Sequence, residues 1–425
     1  MHILILTPYY TPDLGPSAPL FTMLSIALVR RGHRVTVITT VPHYPSGKVS
    51  APFLGKMVWR SFEDGVEVIR VTLPSLERAS LPKRLLQFIC YQIGATWVGR
   101  HHQYDVAIVA NPSLWVWLPF SYLIVLRRKS AVFSIHDVYP DVGINLGIFR
   151  HRSVITAVSS LERFCLNHSS VVRILSESFR PGLRALGVPD DKMTLIYDWV
   201  DTELVHPMPR DNAFSREHDL SNKFVVLYAG NLGLSQGLEH VLAAAEILSD
   251  HDDLQFVFVG AGAGRDRLVA DADRRGLTNV RFLPFQPRER LSEVLASSDA
   301  SLVILRKGIG MGSLPSKTFS IMASGRAVVA SVDEESETWS MLKRSKAGIC
   351  IPPESADELA RAILTLKQDK CIREHLGRNG RDWVERHHSP QHAAERFEKL
   401  LLSINRTGKS ERIPRSVLKR SGNPA

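Results

Sequence analysis

The stretch RKGIGMGSLPSKTFSIMASGRAVVA, residues 306–330, decides the fold. It follows the apolar run SLVIL at 301–305 and ends in AVVA at 327–330, so a loop and a helix join two parallel strands as half of a βαβ unit. Gly308, Gly310 and Gly312, then Ser313, free the loop, and Pro315 and Ser316 suit the start of a helix running to about residue 324. Such a start presents free N–H groups and a partial positive charge of roughly half a unit. Lys317 stands in its first turn, so an anion is the expected occupant. Taken alone, the stretch also fits a Gly-rich surface loop with a solvated lysine.

The same grammar repeats on both sides. Apolar runs at 2–7, 35–40, 66–71, 106–110, 131–135, 170–175 and 194–197 alternate with helical patterns at 18–31, 82–102, 113–127 and 151–168. This alternation predicts a parallel, doubly wound sheet. Residues 206–222, HPMPRDNAFSREHDLSN, are polar and proline-bearing and read as a linker. Runs at 224–229, 255–259, 280–283, 301–305, 327–331 and 349–351 then predict a second such sheet, with helices such as 237–249 and 287–297. The expected domains are 1–205 and 223–389. Helical patterns at 356–368, 372–387 and 390–404 close the chain, the last packing back on the first domain, before a disordered basic tail at 405–425. Two facing α/β domains leave a central cleft at the carboxyl ends of their strands, where ligands bind.

With 425 residues, 44% of them apolar, the chain has material for two or three buried cores. Its net charge is +10, and residues 406–425, with six Lys/Arg against one Glu, supply half of it. The remainder favours phosphates or an anionic membrane face. Nucleic acid is not expected, because no basic run is interleaved with aromatics. The four cysteines show neither CxxC nor zinc spacing, which fits a reducing cytosol. MHILILTPYY lacks a basic leader region and reads as a core strand. NPSLWVWLPFSYLIVL at 111–126 falls short of the roughly 20 residues of a spanning helix. It is either a buried helix or an interfacial one whose Trp115, Trp117, Phe120 and Tyr122 dip into lipid. No HExxH, GxSxG or Walker pattern occurs, and no metal site is expected.

Four further stretches bear on chemistry. In PYYTPDLGPSAP, Gly15 opens a close-approach loop at a helix start, usable by a phosphate or a sugar, or serving as a plain connector. In SIHDVYPD, His136 and Asp137 leave a strand at its carboxyl end; they either meet a sugar hydroxyl or phosphate oxygen or form a structural pair. GNLGLSQGLEH sets Gly230, Gly233 and Gly237 around Asn231 and Gln236, an anion cradle with neutral side chains. GAGAGRDRL invites a dinucleotide reading, but Arg265 takes the place of the third glycine of GxGxxG and no acid ends the strand in VRFLPF.

Together with IYDWVDTELVHP, NVRFLPFQPRERLSEVLASSDASLVIL and LPSKTFSIMASGRAVVA, these motifs resemble the GT-B glycosyltransferases of family 4 over nearly the whole chain to about Ser403. YYTPDLGPSAPL, VPHYPSGKV and PSKTFSIMASGR are most similar to the branch with colanic-acid and O-antigen fucosyl- and N-acetylfucosaminyl-transferases. The resemblance implies a GT-B fold of two facing Rossmann-like domains. It implies a retaining, metal-independent transfer from a nucleotide sugar, held mainly by the second domain, to an acceptor held mainly by the first. Gly15 then approaches the donor phosphates, His136 contacts the donor sugar, and Gly310, Met311, Gly312 and Ser313 wrap sugar and diphosphate with backbone amides. The chain departs from the family where Asn231 and Gln236 replace Arg and Lys at the diphosphate, and where a glutamate pair falls on Gly312 and Ser320. Neutralisation is therefore expected from Lys317 and Arg306 with the helix start at Ser316, and a ribose contact from Ser320.

The expected activity is transfer of a sugar of fucose or N-acetylfucosamine type, from a UDP- or GDP-linked donor and without a cofactor, to a saccharide or polyprenyl-linked saccharide in bacterial surface polysaccharide biosynthesis. The expected location is the cytoplasm, peripherally on the inner membrane face through the 111–126 segment and Lys83, Arg84, Arg127, Arg128 and Lys129. Two alternatives stand beside it: a nucleotide-sugar isomerase, with only His136 and Asp137 as an acid/base pair, and a non-catalytic partner protein on a degraded transferase fold.

Overall fold

The computed structural model describes residues 1–15, 17–44, 46–76, 81–139, 151–233, 236–309 and 314–410. Its contacts divide the chain into two units, Met1–Tyr197 with Ala393–Ala425, and Asp198–His392. The first unit is built on β1 (His2–Leu6), β2 (Arg34–Thr40), β3 (Val58–Glu63), β4 (Val66–Val71), β5 (Val106–Ala110), β6 (Ser130–Ser134), β7 (Val171–Ile174) and β8 (Met193–Leu195). They lie in the order β3-β4-β2-β1-β5-β6-β7-β8. Ile3 to Leu6 and Val106 to Val109 are wholly buried, as continuous apolar runs covered on both faces require.

Strand β3 was not foreseen. Its residues VWRSFE alternate between half-buried and exposed, and it pairs antiparallel with β4 at the sheet edge. The hairpin turn is Asp64-Gly65, both at positive φ (48° and 82°), the dipeptide that a two-residue turn favours.

The second unit holds β9 (Phe224–Ala229), β10 (Leu254–Val259), β11 (Val280–Leu283), β12 (Ala300–Ile304), β13 (Ala327–Ser331) and β14 (Gly348–Ile351), in the order β11-β10-β9-β12-β13-β14. All of its pairings are parallel. Alternate residues enter opposite cores. Val226, Tyr228, Phe256, Phe258 and Leu302 pack on one face, and Val225, Leu227, Val257, Val259 and Val303 on the other.

Three expectations need correction. Residues 206–222 are not a free linker, because Phe214 and Leu220 enter the core of the second unit. Arg210 there bonds Asp299 at 2.7 Å and the carbonyls of Leu220 and Ser221. The unit accordingly begins at Asp198. The helix expected at 113–127 is an α-helix, Ser113–Pro119, followed by a π-helical turn, Phe120–Leu126. Trp115 and Phe120 are buried in it, Trp117 is half-buried, and Tyr122 and Leu126 are exposed, so only part of that segment is core. The closing helix spans Pro390–Ser410 and so includes residues assigned above to a disordered tail; 411–425 lie outside the described residues.

From Ala393 that closing helix belongs to the first unit. Phe397 and Leu401 are fully buried, Glu398 accepts from Arg31 and from His33 Nε2 at 2.8 Å, and the Ser130 hydroxyl donates to the Ile404 carbonyl at 3.0 Å. Among the described residues no helix is long and apolar enough to cross a membrane.

A glycine pair tests the sheet's central packing. A Cβ on Gly260, at φ +150°, would lie 2.0 Å from the Gly230 carbonyl oxygen, whereas one on Gly276, at φ +68°, meets nothing within 4 Å. Gly276→Ala should cost roughly 1 kcal/mol for its left-handed backbone, and Gly260→Ala clearly more, about 3 kcal/mol or beyond, in denaturant titrations.

Candidate functional site

In both sheets the strand order reverses beside the first strand of the unit, and loops leaving such neighbours diverge to open a crevice. In the second unit the reversal lies between β9 and β12, which register only at Ala300↔Val226 and Ser301↔Leu227. Gly230 leaves β9 at φ +136°. The following loop is zipped to the GAGAG loop, with Leu232 N–H donating to Ala261 O at 2.9 Å and Gly264 N–H to Leu232 O at 2.8 Å. Cβ atoms on Gly260, Gly262 or Gly264 would collide with that backbone. These glycines serve loop-to-loop packing, which explains their departure from dinucleotide spacing.

Several candidate residues meet here. A Cβ on Gly233 would lie 2.7 Å from both Asn231 Nδ2 and Gln236 Oε1, so the two amides flank it, and Gln236 Oε1 is buried without a hydrogen-bond partner among the described residues. Lys317, first residue of the helix Lys317–Ala323, reaches back over Tyr228 with Nζ 3.8 Å from the ring centroid. A Cβ on Gly230 would meet that Nζ at 3.2 Å. Burial lowers the Lys317 pKa to about 7, with no carboxylate among the described residues acting on it.

Arg306 differs. It is paired with Glu239, so part of its charge is already answered. Ser316 precedes the helix exposed and caps it with no side-chain bond, and Ser320 is half-buried one turn on. Gly310, Met311, Gly312 and Ser313 lie outside the described residues.

In the first unit the reversal lies between β1 and β5. Gly15 follows β1, but its amide donates to Asp13 Oδ1 at 2.8 Å, and a Cβ on it would lie 2.3 Å from the Tyr9 ring. Its glycine is therefore required by Tyr9. The buried Asp13 carboxylate also accepts from His43 N–H at 2.9 Å and faces His43 Nδ1 at 3.2 Å. Asp13 was overlooked, although Asp-x-Gly is an Asx-turn signal.

Beyond β5, Asn111 clamps the His136–Asp137 segment. Its Oδ1 accepts from His136 N–H at 2.8 Å and its Nδ2 donates to Asp137 O at 2.5 Å. The His136 ring stands edge-on to Phe21, centroids 5.5 Å apart, and Asp137 is exposed. Behind the clamp Glu162 accepts from Ser113 N–H at 3.1 Å, and its other oxygen is buried without a partner among the described residues. Desolvation raises its pKa to about 7. No pattern in the sequence marks Glu162, since an acid on an amphipathic helix ordinarily faces water.

Two family models match the chain, glycosyl transferases group 1 over residues 210–383 and the glycosyl transferase 4-like domain over 18–199. The chain belongs to this glycosyltransferase family and has its GT-B fold. It is 29% identical over 394 residues to WcaI of Escherichia coli, a putative colanic acid biosynthesis glycosyl transferase, covering 89% of this chain and 96% of that one. Sucrose-phosphate synthase of Thermosynechococcus elongatus superposes with a TM-score of 0.70 at 18% identity, over 96% of this chain and 99% of that one. HepE of Anabaena in complex with UDP-glucose superposes with a TM-score of 0.67 at 17% identity, over 95% and 100%.

Glu162 supplies a pH test of the first unit. Its pKa is raised in the fold, so its favourable contribution is complete below about pH 4.5 and is lost as pH rises through about 7. Glu162→Gln should remove that slope, on the order of 3 kcal/mol, from denaturant titrations run between pH 4.5 and 8.

Proposed function

We propose that the protein transfers a sugar from a nucleoside-diphosphate donor to a saccharide or lipid-linked saccharide in bacterial surface polysaccharide biosynthesis. The observation that carries the donor half is Lys317, an ammonium desolvated beside Gly230 with no carboxylate among the described residues to answer it. A diphosphate satisfies that charge, and the Gly230–Gln236 loop lies next to it. The Gln236 amide, turned with its NH2 toward the ligand, supplies a donor. The relationship to WcaI, named for colanic acid biosynthesis, supports the polysaccharide setting. The complex of HepE with UDP-glucose on the same fold supports a nucleotide sugar, here UDP- or GDP-linked, as the ligand class.

In this reading the acceptor hydroxyl attacks the anomeric carbon from the face that the diphosphate leaves, so configuration is retained and no side-chain nucleophile takes part. Proximity and stabilisation of the departing diphosphate carry the rate. Lys317 is the residue assigned to that charge, with Arg306 a secondary contributor because Glu239 already holds it. Ser316 and Ser320 face the ribose and sugar side, and His136, fixed by Asn111, is assigned to the donor sugar. Neither a metal nor a cofactor enters.

A thermal-shift series with UDP, GDP and ADP should show stabilisation by one nucleoside diphosphate, lost in Lys317→Ala. The same variant should lose roughly 2–5 kcal/mol of binding or transition-state stabilisation. Wild-type melting unmoved by every nucleotide would remove the donor assignment. With a turned-over donor in hand, EDTA should leave the rate unchanged, and NMR of the product should show the donor's anomeric configuration; inversion would overturn the mechanism.

A further inference from the structure

The helix Leu81–Gly99 is apolar on two faces, and among the described residues only the inner one has a partner. Its inner face is fixed to the first unit. The Tyr91 hydroxyl donates to Thr7 O at 3.2 Å and Ile38 O at 3.0 Å, and Gln87 Nε2 donates to Gly47 O at 2.9 Å and Pro74 O at 3.0 Å. Its outer face carries Leu85, Leu86, Ile89, Ile93 and Trp97, each between 43% and 57% exposed. Their spacing is that of one helical stripe, about 18 Å long from Leu85 to Trp97. Isolated exposed hydrophobes are ordinary on a protein surface, but a continuous stripe marks an interaction site.

Charge selects the occupant. The helix contains no Asp or Glu, begins with Lys83 and Arg84, and is followed by Arg100, whose guanidinium lies 5.4 Å from the Trp97 ring. Arg127 donates to His102 O at 2.9 Å, which brings the basic turn Arg127-Arg128-Lys129 to the same end, beside the exposed Leu126. Apolar side chains flanked at both ends by cations, with no acid among them, match a layer of anionic headgroups over acyl chains. A Trp with an adjacent basic group suits the boundary between the two.

We propose that this outer face of Leu81–Gly99 rests on an anionic lipid bilayer. Trp115 and Phe120 of the segment 111–126, offered above as lipid-facing, are buried, and the adjoining helix supplies the longer exposed apolar stripe. Docking there also places chemistry at the membrane. Phe88 packs on Trp115 with centroids 4.3 Å apart, and Trp115 meets Tyr9 at 6.0 Å, so the helix adjoins the loops at the carboxyl ends of β1 and β2. A lipid-borne acceptor would meet those loops without leaving the bilayer. The inference rests on the proposed acceptor reading for its purpose, and on the helix alone for its geometry.

The test is co-sedimentation of the full chain with vesicles of phosphatidylcholine alone and with about one-third phosphatidylglycerol. Binding should require the anionic lipid, weaken with salt, and fall at least about tenfold in the double variant Ile93→Glu/Trp97→Glu. Phe285→Glu, at an exposed position of the second unit, should bind as wild type. Melting curves and the nucleoside-diphosphate shift report folding and donor binding separately, so a failed donor assignment leaves the lipid result readable. Should the double variant misfold, brominated phosphatidylcholine supplies the second measurement: it should quench a tryptophan component present in wild type and absent in Trp97→Phe. Failure of wild type to bind anionic vesicles, undiminished binding by a folded double variant, or quenching identical in Trp97→Phe would overturn the proposal. So would a wild-type dimer in solution that the double variant makes monomeric with no vesicle binding, which would make the stripe a self-association face.

Discussion

A parallel sheet whose strand order reverses must send two neighbouring strands' loops apart, and the candidate residues of each unit gather around that reversal. In the second unit it separates the exits of β9 and β12, which carry Gly230 and Arg306. In the first it separates those of β1 and β5, which carry the Asp13–Gly15 turn and Asn111. The glycines around these exits are spent on bringing loops together. Gly260 exists because the Gly230 carbonyl lies where its Cβ would be, and Gly15 because Tyr9 does.

On that scaffold Lys317 is the energetic oddity. Moving an ammonium's pKa from 10.5 to about 7 corresponds to a few kcal/mol of unfavourable desolvation. The Tyr228 face returns only about 1–2 kcal/mol of it. The balance is a charge poised for an anion. Arg306, the other cation named from the sequence, is already paired with Glu239, so the two are not equivalent.

The sheets were legible because buried parallel strands are long apolar runs separated by helices, and nearly every one was read within a residue or two. The misses have physical causes. Strand β3 is half-exposed and short of apolar residues, although Asp64-Gly65 announced its turn. The 206–222 segment looked like a linker because its few apolar side chains, Phe214 and Leu220, are scattered among charges that bond locally. The grouping of Lys317 with the Gly230 loop and of Asn231 with Gln236 was legible because each stands just past a strand exit or at a helix start. The site was not legible where one residue acts through another. Asn111 behind His136, Glu162 behind Asn111, and Glu239 beside Arg306 are all distant in sequence from what they hold.

The central claim, that Lys317 is an anion-binding cation kept partly unprotonated until the diphosphate arrives, is tested most directly by calorimetry. Titrating the nucleoside diphosphate that stabilises the protein at pH 8, in buffers of different ionisation enthalpy, counts the protons taken up on binding. Binding should raise the depressed pKa of Lys317 and draw most of one proton from the buffer in wild type, and this uptake should vanish in Lys317→Gln. Equal proton uptake by the two proteins would contradict the account.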